Sequence, residues 1–315
     1  MIRGDTITEI ANITKLLDDS MDISQMLYSW NILIKDHIIP IYRTTFNAMK
    51  FVVKIHNYLI KTLNFKYELG HWNIGKVLLA ITLIPSSRAL IKYNCSCLAI
   101  LIIMICDYFS LFHNYLLAGF VETHMFIVSK NGKWIFETTR PTSKWRSSDY
   151  IFKSLDLDQK RDSYLTTSDI KGLFSNYAYS GLVRIKKNYK HAKYIINKYP
   201  LPCPEHIFYS MRVHAKFGTE EHEKYLHELI LFIKDNRLTS SYIFMIYNVL
   251  VLLLSGIDRI NDTVKHNSNT LTNYQLVIQD LRQIIEKALL SNPNNKNIIT
   301  ANFLLIRLLS DTNLE

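Results

Sequence analysis

Apolar positions in the first third of the chain recur at mixed three- and four-residue steps. Across residues 23–63 the pattern runs through MLYSWNILI and FNAMKFVVKIHNYLI, which predicts amphipathic helices. Pro40 interrupts the region, the stretch 70–75 between two glycines marks a turn, and Pro85-Ser86-Ser87 supplies a break with serine as a plausible N-cap. The first ninety residues therefore read as helical. An apolar run over residues 95–109 follows, at helix length.

The pattern changes at Leu116. LLAGFVETHMFIVSKNGKWIFETT is β-rich, with Gly119 near its start and Asn131-Gly132 between MFIVSK and KWIFET. Asn-Gly flanked by two such runs is the strongest short signal for a hairpin. Pairing about that turn sets Met125 and Phe126 opposite Thr138 and Glu137. His124 then opens the first strand and Glu137 closes the second. A slip of about two residues between them keeps both on one face, because side chains alternate with period two. A histidine and a carboxylate on one hairpin face is a geometry with a use.

From about Thr167 the pattern is helical to the end. NYAYSGLVRIKKNYKHAKYIINKYPLPCP resembles the second helix of a tetratricopeptide unit, with Tyr189, Ala192, Ile196 and Pro204 in the matching places. IIEKALLSNPNN repeats that ending with Ala288 and Pro293. The two prolines lie 89 residues apart, not a multiple of the ~34-residue period, so helical hairpins are expected and a regular array is not.

Composition narrows the classes. With 48% hydrophobic and 20% charged residues, 315 residues suffice for two ordinary domains or one large one. The formal charge of +10 is spread out. Its longest basic cluster is Arg184, Lys186 and Lys187, so nucleic acid is not expected as a partner. Cys95, Cys97, Cys106 and Cys203 do not make a disulfide framework in a chain this long. MIRGDTITEIANITKLLDD has no apolar core of signal-peptide length, and a cytoplasmic location with free thiols is expected. The apolar runs 98–106 and 242–257 are shorter than the ~18 residues of a span, so no membrane span is expected and the second is read as a buried helix. No Gly-rich phosphate loop follows a strand, and no cofactor is implied.

Candidate chemistry centres on the cysteines. C-S-C is too tight for one tetrahedral zinc and no second pair follows; C-x-x-C is absent. In HEKYLHE, His222 and His227 are five apart rather than four, which rejects a zincin site. His214, His222 and His227 read as solvated helix faces, His113 as a surface histidine and Trp134 as a sheet-face packing residue. Two cysteines before an apolar run are ordinary core material. Against that stands the order Cys95, His124, Glu137. A thiol at a helix start, an imidazole opening a strand and a carboxylate on the next strand are the parts of an activated nucleophile.

Tyr93-Asn94-Cys95-Ser96 opening an apolar helix, Glu122-Thr123-His124-x-Phe126 beginning a strand and NGKWIFETT closing the hairpin resemble the transglutaminase-like core. The similarity is to a bacterial branch in which tetratricopeptide helices follow that core. It covers residues 64–141, and the helical tail more loosely. The resemblance implies a papain-like fold, Cys95 as nucleophile, His124 as base, Glu137 as the orienting acid where the superfamily more often has Asp, and a peptide-like substrate. Cys97 competes for the nucleophile's role. Two residues apart on a helix, the cysteines point about 200° apart, and Cys95 lies nearer the start, where the macrodipole favours a thiolate. No Gln lies between Met26 and Asn94, so the backbone N–H of Cys95, or the Trp72 indole, is left as oxyanion donor.

The expected fold is α+β: residues 1–165 form N-terminal helices and a papain-like transglutaminase-type core, and residues 166–315 an α-helical tetratricopeptide-like domain. Two functions follow. One is a cysteine acyltransferase or peptidase/amidase working through a thioester. The other is a non-catalytic scaffold whose helical tail binds a peptide or protein partner.

Overall fold

The structure is a computed structural model and describes residues 5–68, 73–82, 90–121, 124–140, 143–154, 165–167, 173, 188–199, 204–215, 220–235, 240–255 and 268–312. Two compact units divide the chain: residues 1–157 with 164–201, and residues 158–163 with 202–315. Helix and sheet are mixed in the first unit, as the α+β expectation has it.

The centre of the first unit is set by one helix, α6 (Cys95–Tyr108). Asn94 adopts an extended backbone and accepts a hydrogen bond at Oδ1 from the Cys97 N–H at 2.9 Å, the standard side-chain cap. Every residue from Cys97 to Cys106 is buried. A helix apolar around its whole circumference has to be enclosed. Its neighbours are α4 (Ala48–Lys61), α5 (Ile74–Thr82), α7 (Phe112–Tyr115) and strand β4 (His124–Ser129). The helix ends where Ser110 enters the left-handed region at φ 58°. The Leu111 N–H then reaches back to the Cys106 carbonyl at 2.8 Å, a Schellman-type closure.

Five strands form one antiparallel sheet in the order β6-β5-β4-β3-β7, comprising β3 (Leu116–Val121), β4, β5 (Trp134–Phe136), β6 (Trp145–Ser147) and β7 (Leu165–Thr167). Ile127 faces Phe136 and Val128 faces Ile135, the pairing that the Asn131-Gly132 signal predicts. The turn itself starts earlier than that dipeptide suggests. Gly132 alone takes positive φ, at 71°, and donates its N–H to the Ser129 carbonyl at 2.8 Å. Asn131 Oδ1 accepts from Ser129 Oγ and from the Lys133 N–H. Trp134, expected to pack on the sheet face, is 43% exposed. Helix α8 (Ser148–Ser154) closes over Phe126, Val128 and Ile135 through Ile151.

The first ninety residues are not wholly helical. β1 (Phe65–Tyr67) and β2 (Ile91–Tyr93) pair in parallel, Tyr67 opposite Tyr93, and the Glu68 N–H donates to the Tyr93 carbonyl at 2.7 Å. Three-residue strands carry too few positions to show a period, which is why the pattern misses them. At Pro40 the chain does not break. α2 (Ile23–Ile32) widens through a π-helical turn, Leu33–Ile38, and continues as α3 (Ile39–Arg43), with Pro40 directly after the widened turn.

Gly75, read as part of a turn, lies inside α5. A Cβ there would sit 2.4 Å from Thr14 Cγ2, on α1 (Asp5–Leu17), and 2.7 Å from Met26 Sδ, on α2. Both neighbours are fully buried. Ala gains up to about 1 kcal/mol of helix propensity over Gly, against about 1–3 kcal/mol for overpacking. Gly75→Ala is thus expected to lower the urea midpoint at unchanged slope; an equal or higher midpoint would show that the helices part freely.

Helix α9 (Tyr189–Lys198), with Ala192 and Ile196 buried, belongs to the first unit. The second unit is helical: α10 (Pro204–Ala215), α11 (Glu220–Asp235), α12 (Ser240–Ser255), α13 (Ser268–Ser291) and α14 (Lys296–Thr312). α10 packs on α11 and α13 on α14, while α11 also meets α13 and α12 meets α14. Their core includes Leu229, Ile230, Val249, Leu250, Leu281 and Leu308. α12 buries Val249, Leu250 and Leu253 but exposes Tyr247 and Val251, so it is one-sided rather than wholly buried. Among the described residues, no helix is long and apolar enough to cross a membrane. His214 corrects the expectation of a solvated face: it is 1% exposed and lies against the Tyr225 ring at 5.2 Å. His227 is exposed as expected; His222 lies on the same helix, and its side chain is outside the described residues.

Candidate active site

Cys95 is the first residue of α6, directly after its cap. The N–H groups of Cys97 and Leu98 both return to Asn94, through its side chain and its carbonyl. The N–H groups of Cys95 and Ser96 precede that ladder, as the first N–H groups of any helix do. A charge on the Cys95 sulfur would sit at the positive end of the helix dipole. The side chain is nearly enclosed, with the residue 7% exposed and Sγ 3.9 Å from Ser96 Oγ.

Cys97 has a different environment. It is fully buried, and burial pushes its thiol far up, only partly countered by its bond to Asn94. Cys106 is likewise held protonated by burial. Neither thiol is placed to ionise near neutrality. Of the three described cysteines, only Cys95 stands at a helix start.

The end of β5 comes down onto that helix start. Thr138, fully buried, donates its hydroxyl to the Cys95 carbonyl at 3.5 Å. Glu137 precedes it, and Glu137 Oε1 accepts from the Thr139 N–H at 3.0 Å and the Thr139 hydroxyl at 2.9 Å. Tyr67 and Tyr93 line the same corner, their rings 5.9 Å apart and edge-on. Burial raises the Tyr67 hydroxyl above its usual range, and the nearness of Cys95 and Glu137 raises it further. Tyr93, 1% exposed, is pushed up to about 12 by burial first, then by Tyr67 and Glu137. Both phenols therefore stay protonated beside the carboxylate. Tyr67 is 38% exposed and gives the corner its opening to solvent.

His124 begins β4 opposite Val121, and the β4–β5 register, in which Ile127 faces Phe136, extends to Glu137 opposite Phe126, two residues along β4 from His124. Its backbone is thus at the strand end on the side of the sheet where β5 leaves it; the His124 side chain lies outside the described residues. So does Trp72. His113 is a surface histidine as expected, with Nε2 3.6 Å from Asp107 Oδ1. Among the described residues no group of three His, Cys, Asp or Glu is placed to hold a metal ion.

Two residues escaped the sequence reading. Tyr67 reaches the site only because β1 and β2 pair, a contact that no local pattern announces. His56 sits on the apolar face of α4 with Phe51, Val52, Ile55 and Leu59, and a polar residue on that stripe was the available signal. It is fully buried, its Nε2 lies 3.1 Å from the Thr138 carbonyl, and its ring meets Phe136 edge-on at 5.2 Å. Burial holds the imidazole below its usual range, while the Thr138 carbonyl and the Glu137 charge pull the other way. His37 is also lowered by burial, against Asp36.

These two histidines set a pH dependence. A His whose folded-state value is depressed binds fewer protons folded than unfolded, so stability rises with pH across that window. The stabilisation is complete above about 6.5, the unfolded value, and is lost as pH falls toward the folded values. Thermal unfolding is expected at lower temperature at pH 5 than at pH 7.5, with a flatter profile in His56→Gln. An unchanged profile in that variant would mean that the imidazole titrates alike in both states.

Comparison with known proteins returns no family model that matches the chain and no curated protein that matches it.

Proposed function

We propose that the chain is a cysteine acyl-transfer enzyme of transglutaminase-like type. In this reading the first unit is a papain-like core in which Cys95 is the nucleophile, His124 the base and Glu137 the acid that orients it. The observation that carries the reading is the docking of the β5 end on the α6 start, where Thr138 meets the Cys95 carbonyl. Glu137, the residue before Thr138, is thereby held next to the Cys95 end of a buried helix, which supports the reading.

The chemistry follows from those roles. His124 takes the thiol proton, and the Cys95 thiolate attacks an amide carbonyl to form a C–S bond. Negative charge on the carbonyl oxygen falls beside the helix start, where backbone N–H groups such as that of Cys95 serve as donors. Collapse breaks the C–N bond, His124 returns the proton to the departing amine, and a thioester remains. Water or a second amine then attacks that thioester, again with proton transfer through His124. The substrate is a peptide-like amide.

A second reading, a non-catalytic scaffold, is favoured by exposed apolar side chains on the helical unit. Phe303 is 69% and Ile306 54% exposed, one turn apart on α14. There a peptide or protein partner would be held and the first unit would be a relic of its fold. Incubating the chain with glutamine-containing peptides and a labelled primary amine, quenching in acid and mapping by mass spectrometry separates the two. An acyl adduct on Cys95 is expected from an enzyme, and its absence across a broad peptide set, with the amine unincorporated, supports the scaffold.

A further inference from the structure

Among the described residues, His56 is the one fully buried histidine that the proposed triad does not use and whose contacts lead into it. A carbonyl oxygen only accepts, so the contact to Thr138 makes His56 Nε2 the donor. The neutral ring then carries its lone pair on Nδ1, and that atom is buried without a hydrogen-bond partner. Leaving it so costs free energy. A phenylalanine would fill the same space against Phe136 without that cost. What the imidazole adds at this position is therefore its bond to Thr138.

That bond joins three elements. α4 is capped by Asn47 and fixed near its start by the Trp145 indole N–H, which donates to the Met49 carbonyl at 2.8 Å. In its third turn His56 grips the Thr138 carbonyl, while the Thr138 hydroxyl reaches the Cys95 carbonyl on α6. Glu137 is the preceding residue, and its carboxylate is folded back on Thr139. Its position thus follows the backbone that His56 holds. The ring is enclosed by Phe136 and touches no surface, so it acts through that backbone and not on a substrate.

We propose that His56 is a positioning residue, holding the Glu137-bearing end of β5 in register with the head of α6; this rests on the reading of Cys95, His124 and Glu137 as the catalytic group. Releasing that strand end lets the carboxylate drift from the imidazole it orients. The imidazolium then supports the Cys95 thiolate less well, and the thiol's ionisation moves upward.

The test is the rate of Cys95 alkylation by iodoacetamide between pH 5 and 9 in the full chain, with the site mapped by mass spectrometry. It compares wild type, His56→Phe and His56→Gln. His56→Phe keeps the packing and removes the donor. Its thiol is expected to ionise about one pH unit higher, so that alkylation below that range slows about tenfold. His56→Gln, whose side-chain amide can donate to Thr138, should recover most of the wild-type rate; a purely structural role would leave all three profiles alike. An activated wild-type profile that His56→Phe does not move overturns this inference alone. A wild-type profile centred near the ordinary thiol value of ~8.5 overturns the catalytic reading and this inference with it. Where His56→Phe does not fold, His56→Leu, smaller than the ring it replaces, measures the same quantity.

Discussion

Cys95→Ser is expected to abolish amide turnover, by about four orders of magnitude or more, while the chain stays folded. Removing a nucleophile that works as one unit with its base costs nearly the whole of the catalysis that the unit provides. The exchange of sulfur for oxygen is almost isosteric, and Cys95 lies at the rim of the core, 7% exposed, so packing changes little. The contrast with Cys97 makes the expectation specific. Cys97 faces the interior with its thiol held protonated, so Cys97→Ala should leave turnover near wild type and act on stability. Its cost should be at or below the ~1 kcal/mol low end of core truncations. Turnover by the mass-spectrometric assay and urea unfolding of both variants check this. Equal loss of turnover in the two would shift the nucleophile or point to a folding defect.

The largest effect on stability is expected at Gly119. On β3 it pairs with Phe126 of β4, and a Cβ there would stand 2.3 Å from Phe126 Cε2 and 2.7 Å from Val128 Cγ2. Phe126 and Val128 are fully buried beneath α8, so neither can swing away as a surface side chain would. Gly119→Ala should cost about 3 kcal/mol, at the upper end of overpacking, and Phe126→Leu alone about 1.5 kcal/mol or somewhat less. In the double variant the smaller side chain makes room, so the two costs should add to less than their sum by about 1 kcal/mol or more. Urea unfolding of the four chains gives this coupling. Strict additivity would mean that the strands spread instead of the ring being displaced.

What could be read in advance was what repeats or punctuates. The Asn131-Gly132 pair, set between two runs of alternating character, located the hairpin and its register, although the turn proper begins at Ser129. The apolar length after Asn94 located α6, because only an enclosed helix tolerates ten consecutive buried positions. The strands β1, β2, β6 and β7 were not legible, since three residues fix no period. With them went Tyr67, which joins the site through the pairing of segments far apart in sequence. His56 was hidden for another reason: helix geometry says which face a residue takes, but not which carbonyl from β5 will arrive there. The same holds for His214, whose burial is decided by Tyr225 on the next helix. Cys95 and Glu137 could be singled out as candidates because their neighbours carry local signals, a cap in one case and a hairpin end in the other.

The central claim is that Cys95 is an activated nucleophile supported by His124. Its most direct measurement is the pH profile of Cys95 alkylation in the native wild-type chain and in His124→Ala. The expected result is rapid modification of Cys95 well below the ordinary thiol value of ~8.5, with that low-pH reactivity lost in His124→Ala and no labelling of Cys97 until the chain unfolds. Contradiction would be a Cys95 that reacts only as an ordinary thiol, or as fast without His124 as with it.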